Sequence, residues 1–318
     1  MSIVRILLRG SGAALLLLVA ALLLIAFAYH PAEEAPQIAY LRQLGAQSLT
    51  APHYIFNQVQ TGGGSPVLLI HGAGTWLNSF RDTIPALAQQ HAVYAFDMPG
   101  HGYTQVQQPP ERYDLPLMAE AIREYLDQQH LEKVSLVGHS FGGGWALYFA
   151  QRYPERVEKL VLLAPRALDT PYKTEWQLMT YPVIGEVFSK LLRQSDVRKG
   201  IEEAYSRPEY VSDALVGQTH VPLTFRENRR AQYHLVRDSD WMLTMAAMPS
   251  TRSETLIIWG QDDRYLPVAQ AATIQQKLPR AQLAVFPGCG HAVHEECAGQ
   301  VNRLLLDFLA ERPGHSAP

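Results

Sequence analysis

An α/β fold with a mostly parallel central sheet, flanked by helices and interrupted by a helical cap, is what this sequence predicts, with a transmembrane helix preceding it. Three observations carry the prediction. Six short aliphatic runs, at 66–70, 92–96, 133–138, 159–164, 255–260 and 282–286, alternate with helical patterns along the chain. Strands without polar alternation are buried on both faces, the signature of a parallel sheet between helical layers. From 166 to 249 the alternation stops, and an aromatic-rich stretch with helical spacing, broken at Pro171, Pro182, Pro208 and Pro222, reads as an insertion. Near the start, residues 13–28 contain no polar side chain.

Taken in order, the first element is this apolar segment, preceded by Arg5 and Arg9 and followed by Glu33 and Glu34. Counted from 10 to 29 it has about 20 residues, which at about 1.5 Å each match the roughly 30 Å hydrocarbon layer. Positive charge ahead of it predicts a single-pass anchor in a bacterial inner membrane, with everything after it periplasmic. A cleaved signal peptide is the alternative, because Ala26-Phe27-Ala28 fits a small-x-small cleavage site, and the chain is then periplasmic or secreted. Residues 31–51 read as a linker with one helix around Ile38, Leu41 and Leu44, and 53–59 as an antiparallel edge strand. The sheet domain is expected over 52–165 and 250–312, the cap over 166–249, and a flexible tail over 313–318.

Composition narrows the function. The 318 residues carry 27 Lys and Arg against 30 Asp and Glu, a net charge of −3, so no nucleic-acid surface is expected. With 47% hydrophobic and 18% charged residues, the chain can bury a core and is neither disordered nor fibrous. Its two cysteines, Cys289 and Cys297, exclude a disulfide scaffold and a four-thiolate zinc site. They allow one bridge, tying their loop to the last helix, while Cys289 equally suits a small buried position.

The chemistry is concentrated at strand ends. The run from Val134 continues into Gly138-His139-Ser140-Phe141-Gly142 and then a helix start. A sharp strand-to-helix turn strains its central residue and leaves no room for side chains at Gly138 and Gly142, so Ser140 is presented above the sheet at a helix N-terminus. A serine hydroxyl needs a base, and the base needs an orienting carboxylate. The run 255–260 ends in Gln261-Asp262-Asp263, and the run 282–286 ends in Pro287-Gly288-Cys289-Gly290-His291. Parallel strands bring their carboxyl ends to one edge, where Ser140, an Asp and His291 converge. After 66–70 comes His71-Gly72-Ala73-Gly74, whose small residues free backbone N–H groups, and Ala73 and Phe141 are assigned as oxyanion donors.

These pieces, HGAG at 71–74, DMPGHG at 97–102, GHSFGG at 138–143, WGQDDRYLP at 259–267 and GCGH at 288–291, resemble the α/β-hydrolase superfamily over roughly residues 52–312. The resemblance implies Ser140 as nucleophile, His291 as base and Asp263 as the orienting acid, with Asp262 as the fallback. From Trp259 to Leu309 the chain is most similar to carbon–carbon hydrolases of ring-fission (meta-cleavage) products, and related esterases and lipases share the stretch. His139 stands where those carbon–carbon hydrolases often carry Asn.

Other residues have plainer readings. His294 makes a His-x-x-His pair with His291, but no third metal ligand accompanies it. Asp97, His71, His101 and His139 are expected to satisfy loops. Trp176, Met179, Phe188, Trp241 and Met242 are candidates for an acyl pocket within the cap. The expected protein is a membrane-tethered or exported serine hydrolase of a hydrophobic, small-molecule acyl ester, requiring no cofactor and no metal. A carbon–carbon bond hydrolase is the alternative, and a non-catalytic binding protein on the same fold is a third reading.

Overall fold

A computed structural model of the chain describes residues 2–310, with side chains from residue 13 onward apart from that of Glu175. The side chains of Arg5 and Arg9 and the expected tail at 313–318 lie outside the described residues.

The strands are β1 (Gln47–Thr50), β2 (Tyr54–Gly62), β3 (Ser65–Ile70), β4 (His91–Phe96), β5 (Gln105–Val106), β6 (Val134–His139), β7 (Val157–Leu163), β8 (Glu254–Gly260) and β9 (Ala281–Phe286). They form one sheet in the order β1-β2-β4-β3-β6-β7-β8-β9, with β5 also on β2. From β4 to β9 every pairing is parallel, whereas β2 runs antiparallel to β1, β4 and β5. β2 is therefore not the edge strand expected at 53–59, because β1 and β5 flank it. Those two are short and largely exposed, so no apolar pattern announces them.

Strand alternation divides the core into two layers. Leu68, Ile70, Leu136, Leu160 and Ile257 pack with helices α4 (Leu115–Gln128), α5 (Phe141–Arg152) and α12 (Ala269–Lys277) on one face. Val67, Leu69, Val137, Val161 and Ile258 pack on the other face against α3 (Ile84–Leu87) and α14 (Ala298–Ala310). Between β7 and β8 the chain leaves the sheet and forms α6 (Thr174–Leu178), α7 (Pro182–Leu191), α8 (Gln194–Ala204), α9 (Asp213–Leu223), α10 (Arg226–Asp238) and α11 (Met242–Ala247). Short helices α2 (Ile38–Gln43) and α13 (Val293–Glu296) complete the described elements.

The N-terminal helix α1 (Ser2–Phe27) corrects the sequence reading. Among the described residues, no helix is long and apolar enough to cross a membrane. The transmembrane helix, the single-pass anchor and the inner-membrane placement built on it are withdrawn. Its uninterrupted apolar run, 13–28, rises only about 24 Å at about 1.5 Å per residue, short of the roughly 30 Å layer. The end of α1 instead packs on α7. Ala26 is buried there, and Lys190 Nζ donates to the carbonyl oxygens of Ala26 at 2.6 Å and Ile25 at 3.4 Å. Of the three residues that suggested a cleavage site, Ala26 is thus packed against the body, while Phe27 and Ala28 are exposed.

Candidate active site

Ser140 sits between the end of β6 and the start of α5 with φ 54° and ψ −121°. Such a backbone conformation costs a side-chain-bearing residue about 1–3 kcal/mol and persists only where the surroundings enforce it. Here they do. A Cβ on Gly138 would lie 2.4 Å from the Gly142 carbonyl oxygen, and one on Gly142 would lie 2.2 Å from that of His71. The Ser140 N–H donates to Leu163 and its carbonyl accepts from Gly144 and Arg166, so the turn is bonded on both sides.

His291 Nε2 lies 2.9 Å from Ser140 Oγ, and its Nδ1 lies 2.8 Å from Asp263 Oδ2. The other oxygen of Asp263 accepts the N–H groups of Tyr265 and Leu266, each at 2.8 Å, which aims the carboxylate at the ring. Asp262 is exposed and contributes only a backbone bond to Cys289. The structure thus brings Ser140, His291 and Asp263 into one chain of hydrogen bonds and leaves Asp262 outside it.

The loop carrying His291 is held from several sides. Cys289 and Cys297 form a disulfide across it. Glu296, whose side chain is fully buried, accepts from the N–H groups of Gly290, Ser206 and Arg207. The His291 N–H donates to the Ala204 carbonyl at 2.7 Å, and His139 Nε2 donates to the His291 carbonyl at 3.0 Å. Burial, with the His294 and His291 rings beside it, pushes the His139 imidazole well below its ordinary range.

Ala73 and Phe141 share the cavity wall with Ser140 and His291. Phe141 is the first residue of α5, so its N–H has no partner within the helix. The 71–74 loop lies directly on the serine, since a Cβ on Gly72 would stand 3.0 Å from Ser140 Cβ. His71 fixes that loop: its Nε2 accepts from the Met98 N–H at 2.9 Å and its Nδ1 donates to Gly72 O at 2.8 Å. Asp97, raised to about 7 by burial, accepts from the N–H groups of Leu77 and Tyr103 and from Asn57 Nδ2. His101 Nδ1 donates to Pro99 O at 3.1 Å, and the ring is pushed down to about 4 by burial. His71 thus braces the loop that lies on the serine, and Asp97 and His101 brace the loop that follows β4.

The cavity in front of Ser140 measures about 1220 Å³. Trp176, Met179 and Phe188 are on its wall. Trp241 is buried behind Phe141, 5.1 Å between ring centroids, and Met242 faces solvent, so neither lines the cavity. Sequence reasoning missed Arg166, Arg81, Tyr205 and Glu295, which are also on the wall. Arg81 and the Tyr205 hydroxyl both bond the Glu295 carboxylate. The only signal was the Glu295-Glu296 pair inside an apolar stretch. Among the described residues no group of three His, Cys, Asp or Glu is arranged to hold a metal ion.

A doubly covered parallel sheet, a strained serine at its central strand-to-helix turn and a His-Asp pair at the next strand ends define a class. Residues 65–298 match the α/β-hydrolase fold family, and the chain belongs to that family and is a hydrolase. Among its curated relatives is the 2-hydroxymuconate semialdehyde hydrolase of Pseudomonas sp. (strain CF600), 33% identical over 267 residues, covering 80% of this chain and 90% of that one. The 2-hydroxy-6-oxononadienedioate/2-hydroxy-6-oxononatrienedioate hydrolase of Comamonas testosteroni is 30% identical over 271 residues, 78% and 89% of the two chains. Among solved structures, the meta-cleavage product hydrolase of Pseudomonas fluorescens superposes with a TM-score of 0.71 at 28% identity, over 83% of this chain and 97% of that one.

Proposed function

We propose that this hydrolase uses Ser140, His291 and Asp263 to cleave a carbon–carbon bond next to a ketone, in a substrate of the ring-fission dienoate type. The observation that carries the reading is the set of relatives, named for such substrates and alike over about four-fifths of the chain. The 2.9 Å approach of His291 to Ser140 Oγ supports the chemistry.

Ser140 Oγ adds to the keto carbon while His291 takes its proton and Asp263 keeps the imidazole in the required tautomer. The Ala73 and Phe141 N–H groups receive the oxyanion. The dienol first shifts to its keto tautomer, its hydroxyl proton passing to the carbon beside the ketone, so that when the tetrahedral adduct collapses and the carbon–carbon bond breaks, the electron pair passes into the remaining unsaturated ketone as a dienolate. His291 returns the proton to the departing fragment. Water, deprotonated by His291, then hydrolyses the acyl-Ser140 ester and releases a carboxylic acid.

Ester hydrolysis by the same residues is the second reading, favoured by the apolar wall of Trp176, Met179 and Phe188. The test is a comparison of kcat/KM on 2-hydroxy-6-oxo-6-phenylhexa-2,4-dienoate with that on a graded series of 4-nitrophenyl esters. A preference for the dienoate is expected. A preference for the esters, with the dienoate untouched, selects the second reading.

A further inference from the structure

We propose that Arg166 is the anchor for a carboxylate on the substrate, so that this cavity selects molecules bearing an acid group as well as the reacting carbonyl. The inference rests on the Ser140-dependent reading above and deepens it by assigning the residue that recognises the acid.

The position of Arg166 follows from the backbone. At the end of β7, Ala164 takes φ 41° and Pro165 follows, turning the chain under the serine. The Arg166 N–H then donates to the Ser140 carbonyl at 2.8 Å. The side chain is on the cavity wall yet only 3% exposed. It lies over the Tyr172 ring, 4.2 Å from guanidinium carbon to centroid. That ring is held by the Trp241 Nε1–H at 2.8 Å and lies nearly parallel to Phe141. The guanidinium therefore stands at the serine end of the cavity on a rigid aromatic platform.

Its hydrogen-bond partners, Thr170 and the Tyr172 side chain, are all neutral. Nη1 donates to Thr170 Oγ1 at 3.2 Å, Nη2 donates to the Thr170 carbonyl, and Nε is buried with no partner. Arg81, Lys173 and Arg193 on the same wall are matched by Glu295, Glu203 and Asp196, whereas Arg229, held by the Pro31 carbonyl, and Lys199 form no ion pair among the described residues; Arg166 is the one whose backbone is bonded to Ser140. It too is unmatched, although a guanidinium stays charged in proteins and a buried charge without a counter-charge is unfavourable. Asp169, the acid whose charge acts on it, is exposed and makes no hydrogen bond to it. A carboxylate entering the cavity supplies the missing charge and an acceptor for the planar fork.

The experiment uses the full chain and two readouts. In the first, the wild-type protein is labelled at Ser140 with a fluorophosphonate in the presence of glutarate or of neutral glutaramide. Glutarate is expected to slow labelling and glutaramide to have little effect. Equal protection by the two, or none, overturns the proposal whatever the preferred scissile bond proves to be. In the second, kcat/KM is measured for mono(4-nitrophenyl) glutarate and for its methyl ester, in wild type, R166M and R166K. R166M is expected to lower the acid-over-ester preference about 10- to 100-fold, with R166K intermediate. An unchanged preference in a folded R166M overturns the proposal, and R166K reads the same ratio should R166M not fold. Failure on the dienoate alone rejects carbon–carbon cleavage and leaves both readouts valid.

Discussion

His139 Nε2 donates to the carbonyl oxygen of His291 over 3.0 Å, so the residue just before the serine holds the backbone of the residue whose ring reaches the serine. A carbonyl partner requires the Nε2–H tautomer, and burial keeps that ring neutral. His139→Ala frees the His291 loop at this point. We expect kcat to fall about 10- to 100-fold with KM little changed, as a roughly 1 Å misplacement of a reacting group produces. The rate of phosphonate labelling of Ser140 should fall in the same ratio.

Ser140→Ala removes the proposed nucleophile and relieves nothing else, because alanine at φ 54° keeps the same strain. Turnover of every substrate should fall by about 10³- to 10⁶-fold, and labelling should vanish. The circular dichroism spectrum and melting temperature should stay close to those of the parent.

The adjacent aspartates separate cleanly. Asp263→Asn replaces an acceptor on His291 Nδ1 by an amide and favours the wrong tautomer, so kcat should fall about 10⁴-fold. Asp262→Asn alters an exposed side chain and should stay within about threefold by the same argument. Steady-state kinetics on the two variants decide the assignment.

Acid should unfold the protein early. Burial holds His71 and His139 well below the usual imidazole range, His101 at about 4 and His294 at about 3. Their folded pKa values lie below the unfolded one, so the stability they contribute is present above about pH 6.5 and is lost as pH falls toward the folded values. Asp97, raised to about 7, has the opposite sign and offsets one of these protons between about pH 6.5 and pH 4. Each net proton taken up on unfolding adds up to about 1.4 kcal/mol per pH unit to the loss of stability below about pH 6.5. Urea midpoints at pH 7, 6 and 5 should fall steeply, and a flat profile would contradict the neutral histidine cluster.

The bridge between Cys289 and Cys297 closes a short loop around His291. Replacing both cysteines by serine should cost about 2.5 kcal/mol of stability from loop closure. Because the proposed base sits inside that loop, kcat should drop with it. Urea unfolding and kinetics of the double variant, with and without dithiothreitol on the parent, measure both effects.

Much of this molecule is legible along the chain, for reasons that differ by element. The runs that become β3, β4 and β6 to β8 stand out because burial on both faces makes them predominantly aliphatic, whereas β9, half-exposed at the sheet edge, stands out by its short aliphatic run alone. Ser140 and His291 stand out because their turns demand glycine at fixed offsets. β1 and β5 do not, since QSLT and QV have no period to detect. The length of α1 misled for a related reason: its composition resembles a lipid-facing helix, and the packing of its end on α7 is a contact between residues more than 150 positions apart. Arg166 and Arg81 were silent because a charge next to apolar residues reveals nothing until its partner, or lack of one, is known in space.

The bond from His291 N–H to the Ala204 carbonyl joins the catalytic loop to the last residue of α8. That helix also lines the cavity in front of the serine. Any displacement of α8 would therefore pull on the backbone that carries the imidazole, so the cavity wall and the ring facing the hydroxyl are mechanically one piece.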